Sequence, residues 1–299
     1  MRIARFLSND GARLALMLDS EAIDLVAAAE ERGQRWLVPL FRDLRLFLGG
    51  GEGSRNAALA VSETARHARC RSSELRLLAP YETGSKVLAH VVNYYGHDKE
   101  AGVKVPAKPF FFLKADGCVT NPDAAILTHP WSKKLDHEVE LGVLMGKAGR
   151  DIPAERAYEH VAGYCVINDV SYRDLQFNEG FEELNKSYGK NWTQGKGMDF
   201  ACPMGPLLVL SDEIPMPYPL RISCTVNGVL RQQANTADMI FKVPALIAEA
   251  SKGITLFPGD VIATGTCAGG GLSDGKYLRS GDRVECQIEN IGVLRNSVQ

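Results

Sequence analysis

The sequence predicts an α+β protein that is mainly β: a small α+β unit over residues 1–80, then a β-rich roll or sandwich over residues 81–299. Three observations carry this. Residues 2–26 alternate like a hairpin and then turn helical, eight short apolar runs with turn punctuation follow Lys86, and only one clear helix interrupts them.

In the first unit, RIARFL and RLALML flank the turn signal SNDG, with Gly11 suited to a left-handed turn position. Asp24 is placed to cap a short helix, LVAAAEERG, which Gly33 would end. LGGGEGS (48–54) reads as a flexible loop before a helix in NAALAVSETARHA, and LLAPYE reads as a linker. From Lys86 onward the expected strands are VLAHVV, PFFFLK, VELGVLMG, VAGYCVIND, GPLLVL, LRISCTVNG, DVIATGT and RVECQIENIG. Pro244 opens the helix PALIAEASK and Gly253 closes it. LFPGDVIATG and LRSGDRVECQI share a frame that suggests two similar turn-strand units in one sheet.

Composition excludes several partners. The 299 residues carry 34 basic and 36 acidic side chains for a formal net charge of −2, which gives no footprint for nucleic acid or an anionic membrane. No apolar run approaches the ~18 residues needed to span a bilayer, and the N-terminus lacks a signal-peptide core. Seven cysteines without a CxxC pair argue against a disulfide framework or a zinc-thiolate site. The expectation is a cytoplasmic protein with reduced thiols that acts on a small molecule.

The segment LDHEVELGVLMGK (135–147) breaks the apolar pattern. In a strand Glu138 and Glu140 project to the same face, their Cα atoms roughly 6 to 7 Å apart, while Val139 and Leu141 point the other way. A Glu-x-Glu pair is ordinarily the solvated face of a strand, but here Gly142 and Leu144 follow on that face without polar alternation. Asp169, at the end of a second apolar run, supplies a third acid within the polar stretch NDVSYRD. Three carboxylates without histidine or cysteine make a hard oxygen site suited to Mg2+, Mn2+ or Ca2+, with positions left open for water or substrate.

Five segments, DHEVELGVLMGK, GYCVINDVSYRDLQ, TQGKGMDFACPMGP, VNGVLRQQANTADMIF and ITLFPGDVIATGT, resemble in order and spacing those of the fumarylacetoacetate hydrolase superfamily. They cover nearly all of the chain after residue 85. The resemblance implies a β-rich catalytic fold around a divalent metal, usually a homodimer, that processes β-diketo acids, most closely in the manner of an acylpyruvate hydrolase. It places the metal ligands on Glu138, Glu140 and Asp169, the general base on His97 oriented by Glu100, and a substrate-contacting lysine on Lys196. Arg173 and Gln176 fall on pocket-lining positions, and Thr266 on a backbone-and-hydroxyl contact for the substrate carboxylate. An alternative for Arg173 is a structural ion pair with Asp174 or Glu140.

On that basis the expected activity is cleavage of a carbon–carbon bond in a 2,4-dioxo acid to pyruvate and a carboxylic acid. His97 would activate water against the distal carbonyl, and Lys196 would stabilise the departing enolate. The same parts would also serve an isomerase or decarboxylase of hydroxymuconate or oxaloacetate-like acids. A non-catalytic metal-dependent binding protein is the reading from another class. Two departures, Gly197 in GKGMDF and Cys267 in TGTCAGGG, fall on the substrate side of the site. The stretch 177–191 reads either as a substrate-reading lid or as a surface or dimer excursion.

Overall fold

The computed structural model describes residues 1–299. Its main sheet runs, edge to edge, through the strands Arg69–Arg71, Glu21–Asp24, Gly11–Leu18, Arg2–Ser8, Cys202–Leu210, Val161–Asn168, Val139–Met145, Val261–Ala263, Val87–His90 and Phe111–Lys114. A five-stranded sheet, Val229–Asn235, Arg221–Val226, Arg283–Ile288, Gly292–Val298 and Ala125–Ile126, packs against it. Every residue of Val139–Met145 and Val161–Asn168 is buried. Covered on both faces, these two strands read as apolar runs interrupted only by Glu140 and the terminal Asn168.

The first unit is built as its turn chemistry dictates. Gly11 sits at φ +117° between the hairpin strands, and Asp24 accepts from the amides of Val26 and Ala27 at 2.9 and 3.1 Å to cap the helix Leu25–Glu31. Arg2 and Ile3 then pair with Val209 and Leu208, so the sheet is continuous across the two parts of the chain. One buried apolar cluster correspondingly extends from Ile3 to Val298.

Two local expectations fail. LGGGEGS is not a loop: Gly49 ends the helix Leu44–Gly49 and Gly51 opens the helix Gly51–Glu63. Burial of Leu44, Phe47 and Leu48 offsets the poor propensity of the glycines. The two Gly-Asp turn-strand units lie in different sheets. Val261–Ala263 is buried throughout, in the main sheet, whereas Arg283–Ile288 alternates exposed and buried in the five-stranded one.

Candidate active site

Strand register assembles the acids. Val139 faces Asn168 and Glu140 faces Ile167 in the antiparallel pair, which sets Glu138 opposite Asp169, and the Asp169 amide donates to the Glu138 carbonyl at 2.8 Å. The Glu138 amide is held in turn by Asn168 Oδ1 at 2.9 Å. Carboxylate oxygens of Glu138, Glu140 and Asp169 lie within 4.8 Å of one another, and all three residues are buried. Gly142 continues this face, where a Cβ would stand 2.6 Å from Ile167 Cδ1 and 2.8 Å from Cys165 Sγ.

Cations surround two of the acids and leave the third alone. Lys196 Nζ bridges Glu138 Oε2 at 2.5 Å and Asp169 Oδ2 at 2.7 Å. Lys114 Nζ lies 2.5 Å from Asp169 Oδ1 and donates to the Lys196 carbonyl. Arg173 joins Glu138 to Asp136, the latter at 2.8 Å; Asp174 and Glu140, the partners considered from sequence, are not its ion pairs. Burial alone would raise the Glu138 carboxyl, but Arg173, Lys196 and His97 hold it well below the usual range. Glu140 has no cation in contact and accepts only from the Gly265 amide, at 2.7 Å. Burial, then Asp169 and Glu138, push it well above the usual range.

Counting Asp136, four buried carboxyl groups face the three buried cations Lys114, Arg173 and Lys196, and Glu140 is the one left without a cation in contact. An all-oxygen cluster of this kind fits a divalent cation, which would draw Glu140 back to its charged form.

His97 stands beside the cluster with Nδ1 3.5 Å from Glu100 Oε2 and Nε2 3.8 Å from Glu138 Oε1. Glu100 is fixed from its other oxygen by the Gly269 amide at 2.8 Å. Gln176 accepts from Arg173 at 3.0 Å, and both line a narrow cavity of about 20 Å3 with His97, Glu138, Lys196, Phe112, Phe177, Lys190 and Trp192. Thr266 is not on that wall. Its hydroxyl donates to the Val139 carbonyl at 2.9 Å and accepts from Gln232 at 2.8 Å, clamping the 264–271 loop to the acid-bearing strand.

Sequence reasoning passed over Lys114, Asp136 and Lys190. Lys114 carried a usable signal: along Phe111–Lys114 the residues alternate, and Lys114 shares the inward face with buried Phe112. A lysine at a core-facing strand position requires a buried anion.

The family model described as "Fumarylacetoacetate (FAA) hydrolase C-terminal" matches residues 86–299. The mitochondrial oxaloacetate tautomerase of Xenopus laevis is 38% identical over 100% of this chain and 90% of its own length. Among solved structures, the fumarylacetoacetate hydrolase of psychrophilic Exiguobacterium antarcticum is similar with a TM-score of 0.80 and 32% identity, covering 100% of this chain and 99% of its own. Maleylpyruvate hydrolase from Sphingobium sp. SYK-6, in complex with manganese(II) and pyruvate, is similar at 0.78 and 28%, covering 100% and 98%. A divalent-metal site is thus supported both by the acidic cluster and by a manganese-bound relative.

Proposed function

The chain belongs to the fumarylacetoacetate hydrolase family, and from that premise we propose that it is a divalent-metal-dependent enzyme that interconverts the keto and enol forms of an oxaloacetate-like 2-oxo acid. The observation that favours this reading is the 38% identity, over the whole chain, to an oxaloacetate tautomerase; the base it needs is supplied by His97, whose Nε2 adjoins the acidic cluster at 3.8 Å from Glu138 while Glu100 adjoins its other nitrogen. Glu138, Glu140 and Asp169 would hold the ion, with Mg2+ preferred and Mn2+ or Ca2+ as alternatives. Such an ion supplies chelation of the 2-oxo and carboxylate oxygens and Lewis-acid polarisation of the carbonyl.

The remaining work falls to side chains. A carbon acid next to a polarised carbonyl needs a base within reach, and His97 Nε2 takes the C3 proton and returns it. Glu100 fixes the imidazole orientation and stabilises its protonated form. Lys196 stabilises the enolate oxygen, while Arg173 and Gln176 orient the carboxylate.

Hydrolysis of an acylpyruvate is the second reading, favoured by the same His97–Glu100 pair, which is equally suited to activating a water, and by the hydrolases among the similar structures. The deciding experiment follows loss of the oxaloacetate enol absorbance with Mg2+ or Mn2+, with and without EDTA, beside pyruvate release from acetylpyruvate. Enol loss accelerated by metal-loaded protein without pyruvate release supports tautomerisation; pyruvate release replaces it with hydrolysis. No activity in either, with metal bound, favours a binding protein. A homodimer and a cytoplasmic location go with this reading, whereas the Xenopus relative is mitochondrial. No helix is long and apolar enough to cross a membrane.

A further inference from the structure

One cation in the pocket is left over. Lys196, Lys114 and Arg173 are each committed to buried carboxylates, but half-buried Lys190 has no carboxylate at ion-pair distance and no hydrogen-bond acceptor, although an ammonium carries three donors. Its Nζ lies over the Phe177 ring at 4.5 Å and the Trp192 ring at 5.7 Å. Trp192 stacks on Phe112 with ring centroids 4.6 Å apart and planes 13° from parallel, and Lys196 Nζ lies 5.5 Å from the Phe112 ring. The cavity wall is therefore an aromatic plate with an ammonium at each end. Lys196 contacts the acidic cluster, whereas Lys190 has no protein carboxylate within ion-pair distance.

The structural alternative is that Lys190 only clips the 177–192 segment through its rings. Cation–π contact holds the ammonium in place but satisfies none of its donors. Burial, then the positive charges of Arg173 and Lys196, pull its pKa down to about 8, so it stays mainly charged at neutral pH beside two like charges. Such a group is stable where an anion arrives to share it.

We propose that Lys190 is the receptor for a second, distal carboxylate, so that the site selects 2-oxo and 2-hydroxy dicarboxylates over monocarboxylates with neutral tails. This rests on the reading of the acidic cluster as the seat of a 2-oxo acid. It also gives a role to part of the 177–191 stretch: Phe177 and Lys190 line the pocket, while the helix between them, Glu182–Tyr188, has no buried residue.

The test compares malate with lactate, which differ by the distal carboxylate, as calorimetric ligands of the Mn2+-loaded protein. Wild type is expected to bind malate roughly ten- to a hundredfold more tightly, the value of a hydrogen-bonded charge pair. Lys190→Met should abolish that preference while leaving lactate binding unchanged, and Lys190→Arg should restore much of it; a merely structural lysine would weaken both ligands together. Retention of the malate preference in Lys190→Met, equal binding of the two acids by wild type, or no binding of malate overturns the proposal. An intact preference in a protein that turns over no oxo acid overturns the proposed function alone.

Discussion

Glu140→Gln gives the sharpest test of the acidic cluster, because it is predicted to stabilise the metal-free protein while destroying its response to metal. Glu140 sits within 4.8 Å of both Glu138 and Asp169. At an effective dielectric of about 20, two unit charges at that separation repel by about 3.5 kcal/mol. Lys196 lies between the other two acids and offsets one of the two repulsions, so roughly 3.5 kcal/mol remains. Glutamine keeps an oxygen for the Gly265 amide and removes the charge. The sign follows from linkage: the folded chain holds a proton on Glu140 that the unfolded chain releases above about pH 4.3, so metal-free stability falls as pH rises through that window. The gain from glutamine should therefore grow with pH, toward about 7 °C in Tm at roughly 2 °C per kcal/mol for a chain of this size. With Mn2+ at a hundredfold over its dissociation constant the wild type should gain about 2.7 kcal/mol and the variant far less. Thermal melts in EDTA and in Mn2+, at pH 6 and pH 9, measure all of this. A metal-free variant that melts below wild type, or an equal Mn2+ shift in both proteins, refutes the reasoning.

Lys196→Ala and Glu138→Ala should each lower turnover by about 10²- to 10³-fold with unchanged circular dichroism, since each removes a charge poised at the reacting centre; near-wild-type rates would remove both from the mechanism. Lys114→Met leaves a buried Asp169 oxygen without its ammonium and should cost about 3 to 5 kcal/mol in urea denaturation. His90 is buried with both ring nitrogens unpartnered, and burial lowers its pKa to about 4. The unfolded chain then binds the extra proton first, so stability is complete above about pH 6.5 and falls by up to about 3 kcal/mol on the way to pH 4. His90→Leu should flatten that part of the pH profile relative to wild type, and identical profiles would contradict it.

What the sequence made legible was local in kind. Glu138 and Glu140 follow from strand alternation, and Asp24, Gly11 and Pro244 from turn and capping chemistry, because each signal spans only a few residues. The pairing of Glu138 with Asp169 depends on a register between strands more than twenty residues apart, which no single segment encodes; the family resemblance supplied it. Arg173 shows the same limit. Its true partner Asp136 lies across the Leu135–Asp136 and Ser171–Tyr172 pairing, whereas sequence proximity pointed to Asp174. Thr266 was read as a backbone-and-hydroxyl contact for a substrate carboxylate, and the clamp its hydroxyl makes with Val139 and Gln232 depends on strands distant in sequence. Gln232 itself is fully buried among polar partners, a role that its polar neighbours Arg231 and Gln233 do not mark.

The Lys196 bridge bears on how the protein is made. Small domains organised by a metal are often unfolded until the ion arrives, because their ligands would otherwise be stranded. Here an ammonium on the chain already lies between Glu138 and Asp169, so two of the three acids can be buried by a nascent chain that has met no free ion. Loading then becomes a late and reversible event of a folded molecule. Chelation should return the protein to a folded, metal-free form that can bind the ion again.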